Sequence, residues 1–203
     1  PLQIKHQQFG FSDDGETWSW WNETQTFTHL PKPKLALDNV ATAIAAIRVL
    51  PLNVTEVALH DGLKSAQLAG RAEHLVYQQK KIVMDVAHNA HGAAFCMQQL
   101  PVISYKTFAV FAMLSDKDIG ATLDSCFGRI DSWFIAGLEV PRGTPVDKLA
   151  PLLLTRGMVV GGSYQTVGAA MRAALAQAQT GDRILVFGSF YTVAAAKQWL
   201  ATH

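Results

Sequence analysis

Short apolar runs alternate with helix-like stretches along the chain after Gly70. The runs lie in HLVYQQKKIVMDV, TFAVFAML, SWFIAGL, GMVVGG and RILVFGSF. Runs rich in Val, Ile and Phe, without alternating polar positions, are typical of parallel strands that are buried on both faces. Because they alternate with helices, the pattern predicts a doubly wound, mostly parallel α/β sheet. The predicted helices cover 90–100, 117–127, 144–154, YQTVGAAMRAALAQAQ and YTVAAAKQWLA.

The first thirty residues show a different pattern. Asp14-Gly15 separates two segments that are rich in aromatic residues and Thr, which indicates a β-hairpin. The second segment contains Trp18, Trp20 and Trp21, which we interpret as packing residues rather than as a ligand cage. The stretch LPKPK that follows predicts a stiff, extended connector.

Helical spacing of apolar residues begins after Asp38. NVATAIAAIRVL places Val40, Ile44, Ile47 and Leu50 on one face. A second helix is predicted after Thr55, whose hydroxyl would act as its N-cap. The section before Gly70 therefore reads as a hairpin, a linker and a helix pair.

Composition narrows the class of protein. The 203 residues are 49% hydrophobic but only 16% charged, against about 25% in average domains, so we expect part of the surface to be covered by another domain. A net charge of +1 without a basic run gives no reason to expect a nucleic-acid or membrane partner. No apolar run approaches the roughly 20 residues of a membrane helix.

The two cysteines match no metal spacing and are expected to be reduced thiols of a cytoplasmic protein. A chain that starts with Pro1 is expected to be processed or part of a longer protein.

Polar side chains follow four of the predicted strands, at the point where each strand ends. With the Gly and Pro residues among them, the residues at these ends are Asp85, His88 and Asn89; Ser115, Asp116, Lys117 and Asp118; Glu139, Pro141, Arg142 and Gly143; and Gly188, Ser189 and Tyr191. Open α/β sheets bind ligands at the carboxyl ends of their strands. These groups therefore predict a cleft along one edge of the sheet.

Local structure alone offers an alternative reading of most of these groups. Ser115 and Asp118 have the spacing of a capping box, and Ser189 could simply cap the next helix. Thr144 and Pro145 could cap and begin another helix. Asp85 is harder to explain in this way, because a carboxylate at the end of a buried strand loses hydration unless a partner compensates it.

Nucleotide-binding loops are missing from the sequence. No G-x-x-x-x-G-K-[ST] phosphate loop occurs, and no G-x-G-x-x-G follows a strand. A polar cleft without a phosphate cradle would bind a ligand other than a nucleotide, or would share a nucleotide with a second domain.

Six motifs together resemble a known family. LDNVATAIAAI, GLKSAQLAGRAEH, IVMDVAHNAHGAA, FAMLSDKDI, VPRGTP and VFGSFYTVA are similar, in order and spacing, to the C-terminal half of the dihydrofolate synthase/folylpolyglutamate synthase family of Mur-type, ATP-dependent amide ligases. The resemblance implies three parts. Residues 1–31 would be the end of an N-terminal ATPase domain, 32–69 a linker and helix pair, and 70–203 the Rossmann-like C-terminal domain.

The resemblance also implies a reaction. ATP would phosphorylate a carboxylate of dihydropteroate or a folate, and the amino group of L-glutamate would attack the acyl phosphate to give an amide. The phosphate loop and the Mg²⁺ ligands are expected in the missing N-terminal domain, with no metal ligand in this chain. The fragment is then expected to be inactive alone and the intact protein to be a monomer.

Site residues follow from the same motifs. The resemblance implies ATP contacts for Asn39, Arg71 and Asp85, and catalytic roles for Arg71 and His88. Glutamate contacts are implied for His88, Ser189 and Tyr191, and Arg142 is assigned to the glutamate carboxylate by analogy with related ligases. Asp116 and Lys117 match a family motif without an assigned role. A different Mur-type amino-acid ligase and a stand-alone α/β module for a small metabolite remain as alternatives.

Overall fold

The computed structural model describes residues 2–203 and divides the chain into two compact units. The first unit ends at Leu68 and the second comprises Ala69–His203. The hairpin and the helix pair predicted from the sequence both lie in the first unit. That residues 1–31 derive from an ATPase domain, and 32–69 form a linker, stays a prediction.

The first unit is a three-stranded antiparallel sheet with two helices. Its elements are β1 (Phe9–Asp13), β2 (Thr17–Asn22), β3 (Thr26–Pro31), α1 (Leu37–Val49) and α2 (Glu56–Ser65). The predicted hairpin is β1–β2, where Asp14 accepts hydrogen bonds from the backbone N–H groups of Glu16 and Thr17. Thr55 caps α2 as predicted. The third strand was not predicted, and it takes in Leu30 and Pro31 from the start of the predicted connector.

Tryptophans build the core of this unit. Trp18 and Trp20 are fully buried, and Trp20 stacks near Phe27 with ring centroids 5.8 Å apart. The indole N–H of Trp20 donates to the carbonyl of Ala41 at 3.0 Å, which ties the sheet to α1. A buried indole needs such a partner. Packing, as predicted, is therefore the role of these two side chains.

The second unit is a six-stranded sheet with helices between its parallel strands. Its elements are β4 (Glu73–Tyr77), β5 (Lys80–Asp85), α3 (Ala90–Gln99), β6 (Thr107–Phe111), α4 (Ile119–Asp124), β7 (Ser132–Ala136), α5 (Val146–Leu154), β8 (Val160–Tyr164), α6 (Val167–Gln177), β9 (Arg183–Phe187) and α7 (Phe190–Thr202). The strand order is β4-β5-β9-β6-β7-β8. Every neighbouring pair is parallel except β4–β5. The predicted doubly wound, mostly parallel α/β sheet is confirmed.

Burial follows position in this sheet. All five residues of β6, β7 and β9 are buried, as expected for strands covered on both faces, whereas the edge strands β4 and β8 alternate between more and less buried positions. Two apolar clusters, one on each face of the sheet, form the core.

Two predicted helix starts were wrong. Asp118, not Ser115, caps α4 by accepting from the N–H of Ala121, and the helix is shorter than predicted. Pro145 occupies the cap position of α5 without a side-chain bond, so Thr144 is not the cap. Within residues 2–203, no helix has both the length and the apolar character needed to cross a bilayer.

Candidate functional site

The carboxyl ends of the parallel strands carry most of the polar groups that the sequence singled out. β5 ends at Asp85, and β9 leads through Gly188 into Ser189 and α7. Gly188 has φ +116°, and a Cβ at this position would clash with the carbonyl oxygen of Ala112. The turn therefore requires glycine, because a side chain would suffer both strain and overlap.

Asp85 is the buried charge of this edge. The residue is 5% exposed, and its two carboxylate oxygens accept from the backbone N–H groups of Ala72 at 2.9 Å and Ala87 at 2.7 Å. Burial raises the pKa of the carboxyl group, against the opposing effects of these two bonds and of Arg71. Asp85 thus joins the end of β5 to the loop that carries Arg71.

Arg71 extends this group towards solvent. Its Nη1 lies 4.0 Å from Oδ1 of Asp85, and its side chain is 36% exposed. The guanidinium carbon is 6.0 Å from the ring centroid of Phe190. The loop is fixed because the N–H of Val86 donates to the carbonyl of Gly70 at 2.7 Å. Arg71 is therefore held at its base while its guanidinium keeps free N–H donors.

His88 also lies near Phe190, with ring centroids 6.3 Å apart. Its Nδ1 is 2.9 Å from the carbonyl oxygen of Val86. A carbonyl oxygen can only accept, so Nδ1 carries the proton of this bond and Nε2 is left for another partner.

Ser189 is engaged in the fold. Its buried hydroxyl accepts from the N–H of Thr192 at 3.0 Å, and lies 2.7 Å from the Thr192 hydroxyl. The Thr192 hydroxyl itself donates to the carbonyl of Ala112 at 2.6 Å, so Ser189 is the donor between the two hydroxyls. The capping alternative for Ser189 is confirmed. Its predicted contact with glutamate stays a prediction, with one acceptor lone pair left to make it.

Tyr191 is exposed and lines a cavity of about 410 Å³. Other residues of this wall are Leu138, Glu139, Gln165 and Gln198. The cavity is bounded by the loop after β7, the start of α6 and α7.

Arg142 lies in the loop after β7 and contacts the loop after β6. Its Nη1 donates to Oδ2 of Asp116 at 2.9 Å, and Lys117 lies 3.6 Å from the same oxygen. The N–H of Ser115 donates to the carbonyl of Arg142 at 2.8 Å. The Arg142 side chain is 62% exposed. The ion pair therefore joins the two loops and leaves the guanidinium open to solvent.

Asn39 belongs to the first unit. It lies in the first turn of α1, is exposed, and lines an apolar cavity of about 350 Å³ with Val40, Leu59 and Leu63. Asn39 is the one predicted site residue outside the second unit.

The structure thus brings Arg71, Asp85 and His88 together, and Phe190 is the residue that sequence reasoning missed. The Phe190 ring lies 6.0 Å from the guanidinium carbon of Arg71 and 6.3 Å from the ring of His88, so it neighbours both. The sequence did contain a signal for Phe190, because a residue that directly follows Gly188-Ser189 at the end of a strand lies at the same edge of the sheet.

A family model described as Mur ligase, glutamate ligase domain, matches residues 70–190. The chain belongs to the Mur ligase family. The resemblance derived from the six motifs is therefore confirmed.

The relatives of this chain include proteins named dihydrofolate synthase/folylpolyglutamate synthase. The dihydrofolate synthase/folylpolyglutamate synthase of Escherichia coli is 38% identical over 196 residues, which are 95% of this chain and 45% of the relative. The enzyme of the same name from Haemophilus influenzae is 30% identical over 204 residues, 91% of this chain and 47% of the relative. The chain spans about half the length of the curated relatives it matches.

Solved structures agree with the fold. Escherichia coli FolC in complex with DHPP and ADP has a TM-score of 0.82 at 36% identity, over 98% of this chain and 47% of that one. A bifunctional folylpolyglutamate synthase/dihydrofolate synthase with Mn, AMPPNP and L-glutamate bound has a TM-score of 0.86 at 37% identity, over 99% and 48%. Among residues 2–203, no three His, Cys, Asp or Glu side chains are grouped to hold a metal ion.

Proposed function

We propose that this chain is the C-terminal part of an ATP-dependent ligase that adds L-glutamate to dihydropteroate, to folates or to both. The observation that carries the proposal is the group of Arg71, Asp85 and His88 at the carboxyl edge of a Mur ligase sheet. The named relatives support the substrates. We expect the intact enzyme to act in the cytoplasm, as a monomer, where its two free thiols stay reduced.

The carboxyl-edge residues fit one side of an ATP site. The half-exposed Arg71 offers N–H donors that match phosphate oxygens, and buried Asp85 keeps lone pairs that suit a ribose hydroxyl. Asn39 is the third proposed contact. ATP, when bound, supplies the phosphoryl group that activates the substrate carboxylate. Arg71 would then stabilise the negative charge that develops during transfer. The phosphate loop and the ligands of a divalent metal would come from sequence outside residues 1–203.

Glutamate would bind beside this group. His88 presents Nε2 from the same edge, Tyr191 lines the neighbouring cavity, and Arg142 holds an open guanidinium that suits a carboxylate. Ser189 would act through its remaining lone pair and by fixing the start of α7. In this arrangement Arg71 and His88 are the catalytic residues.

A chimera tests the proposal. The N-terminal half of the Escherichia coli relative, fused to residues 1–203, is expected to ligate glutamate in an ATP-dependent way, whereas residues 1–203 alone are expected to show no ligation. Product is measured as ADP release together with the mass of the glutamyl adduct. Turnover by the 203-residue chain alone would contradict the half-site proposal.

Two other functions have distinct outcomes in the same experiment. A chimera that uses another amino acid in preference to glutamate would show a different Mur-type ligase. Tight calorimetric binding of glutamate by the 203-residue chain, without help from a second domain, would favour a stand-alone binding module.

A further inference from the structure

Arg183 is a buried cation at the amino end of the same sheet. It is the first residue of β9, whereas the candidate site begins after the last residue of that strand. The four residue-to-residue steps of β9, at about 3.3 Å each, place Arg183 roughly 13 Å from the end of the strand. Arg183 therefore lies at the opposite edge of the sheet from the candidate site.

The guanidinium of Arg183 is only partly satisfied. The residue is 6% exposed, and it donates to the carbonyl of Pro101 and to the hydroxyl of Thr107, each at 2.9 Å. Its Nε is buried and has no hydrogen-bond partner. No carboxylate of residues 2–203 forms an ion pair with it. A buried charge without an ion-paired carboxylate is costly, so the missing ion pair calls for an explanation.

A second arginine lies beside it. Arg129 and Arg183 both line a cavity of about 540 Å³, together with Tyr105, Thr107 and Asp131. Arg129 donates to a backbone carbonyl at 3.0 Å and forms no ion pair in the described chain. Burial, and next the nearby charge of Arg129, lower the pKa of Arg183. Two like charges have thus been brought together at a wall of one cavity.

One carboxylate faces the two arginines, and it is already used. Asp131 accepts from the N–H of Thr107 at 2.7 Å, which joins the starts of β6 and β7. Two guanidinium groups against this one carboxylate leave the lining with one positive charge in excess. The cavity is therefore suited to an anion rather than to a cation.

We propose that this cavity is a second ligand site, which binds an oxyanion of the phosphate class between Arg129 and Arg183. Each guanidinium offers five N–H groups in a planar fork, and phosphate oxygens accept from such forks in pairs. The bound anion would supply the second counter-charge, beyond that of Asp131, which the lining of the cavity lacks. Because the cavity is larger than the ion, inorganic phosphate is the minimal probe, and Tyr105 would add contacts to a phosphate monoester.

Titration of the 203-residue chain tests the site. Inorganic phosphate is expected to bind saturably, with a Kd in the millimolar range or tighter, and to raise Tm in step with occupancy. Arg129→Gln is expected to weaken phosphate binding about tenfold or more, because it removes a charged donor. Arg129→Lys keeps the charge but not the planar fork, so its affinity for phosphate should lie between those of the parent and of Arg129→Gln. Two further probes are compared with phosphate at equal ionic strength. Phenyl phosphate shows whether an aromatic group adds to the affinity, and acetate shows whether a carboxylate can replace the phosphate group.

Two variants locate the binding. Arg172→Gln removes the same charge from an exposed position on α6 and is expected to leave phosphate binding unchanged. Arg71→Gln removes the guanidinium that is proposed to bind ATP phosphates at the other edge, so the phosphate binding that this variant retains is assigned to the Arg129–Arg183 cavity. A linear response to phosphate through about 10 mM would overturn the proposal. So would loss of binding in Arg71→Gln with retention in Arg129→Gln, and that result would leave the proposed ligase function standing.

Discussion

Asp85 and Arg183 are buried charges at opposite ends of neighbouring parallel strands, and they differ in the partners that compensate their charge. Asp85 accepts two backbone N–H groups and has Arg71 at 4.0 Å. Arg183 has two neutral acceptors, an unpartnered Nε and another arginine nearby. The carboxyl edge compensates its charge within the protein and leaves donors of Arg71 open to a ligand. The amino edge sets only Asp131 against two arginines and leaves Arg183 without an ion pair, which indicates that a further partner is not part of the chain.

The largest effect is expected from Arg71→Ala in the active chimera. If the guanidinium neutralises charge on the transferring phosphoryl group, the rate of glutamate ligation should fall about 100-fold or more. Arg71→Lys should recover part of this loss, since it keeps the charge without the fork. The measurement is kcat and KM for ATP, with Tm as the control for folding. A rate within about twofold of the parent would remove Arg71 from the catalytic assignment.

Asp85→Ala measures how much the compensation at the carboxyl edge contributes to stability. Ala72 and Ala87 would lose the acceptor of their N–H groups, so we expect the free energy of unfolding to fall by about 1–3 kcal/mol. Asp116→Ala is the matched control, because it removes a half-exposed carboxylate paired with Arg142, and should cost at most about 1 kcal/mol. Urea unfolding gives both values. Equal losses would mean that burial does not distinguish these two carboxylates.

The sequence predicted the strands of this sheet well but not how β4 pairs. Apolar runs reveal buried strands because burial on both faces leaves no room for polar positions. The turn between β4 and β5 uses Gln78 and Gln79, both with positive φ, where Asn or Gly would have signalled a hairpin. The antiparallel edge was therefore invisible in the sequence.

For the candidate site, too, one part was predictable from the sequence and another part was not. Asp85 and His88 were found because they lie at or just after a strand end, and topology places strand ends at one edge. Arg71 precedes β4 and was assigned only through the resemblance to the family, and it meets Asp85 at this edge. Phe190 was missed because a search for titratable groups passes over an aromatic side chain. The unpaired state of Arg183 could not be predicted at all, since it depends on which side chains fail to reach it in three dimensions.

Glu73 gives the smallest expected effect and reports on the support of Arg71. Both its oxygens contact the ammonium group of Lys197, at 2.8 and 2.6 Å, and one accepts from the N–H of Gly70 at 2.7 Å. The Lys197 bond, and next the Gly70 bond, lower the pKa of this carboxyl below 4.5. Since the pair is about one-third exposed, Glu73→Gln should cost about 0.2–1 kcal/mol at pH 7.

The sign of the pH dependence makes this small effect testable. A carboxyl group whose pKa is lower in the folded state stabilises the fold above its unfolded pKa, and the contribution disappears as pH falls through the folded value. The difference between parent and Glu73→Gln should therefore be full above about pH 4.5 and shrink below it. Lys197→Met completes a double-mutant cycle, and the exposed Glu16→Gln is the control for a lost charge. If the difference stayed constant down to the acid limit of folding, the ion pair would not be its source, and Gly70 would be held by the shape of the loop rather than by charge.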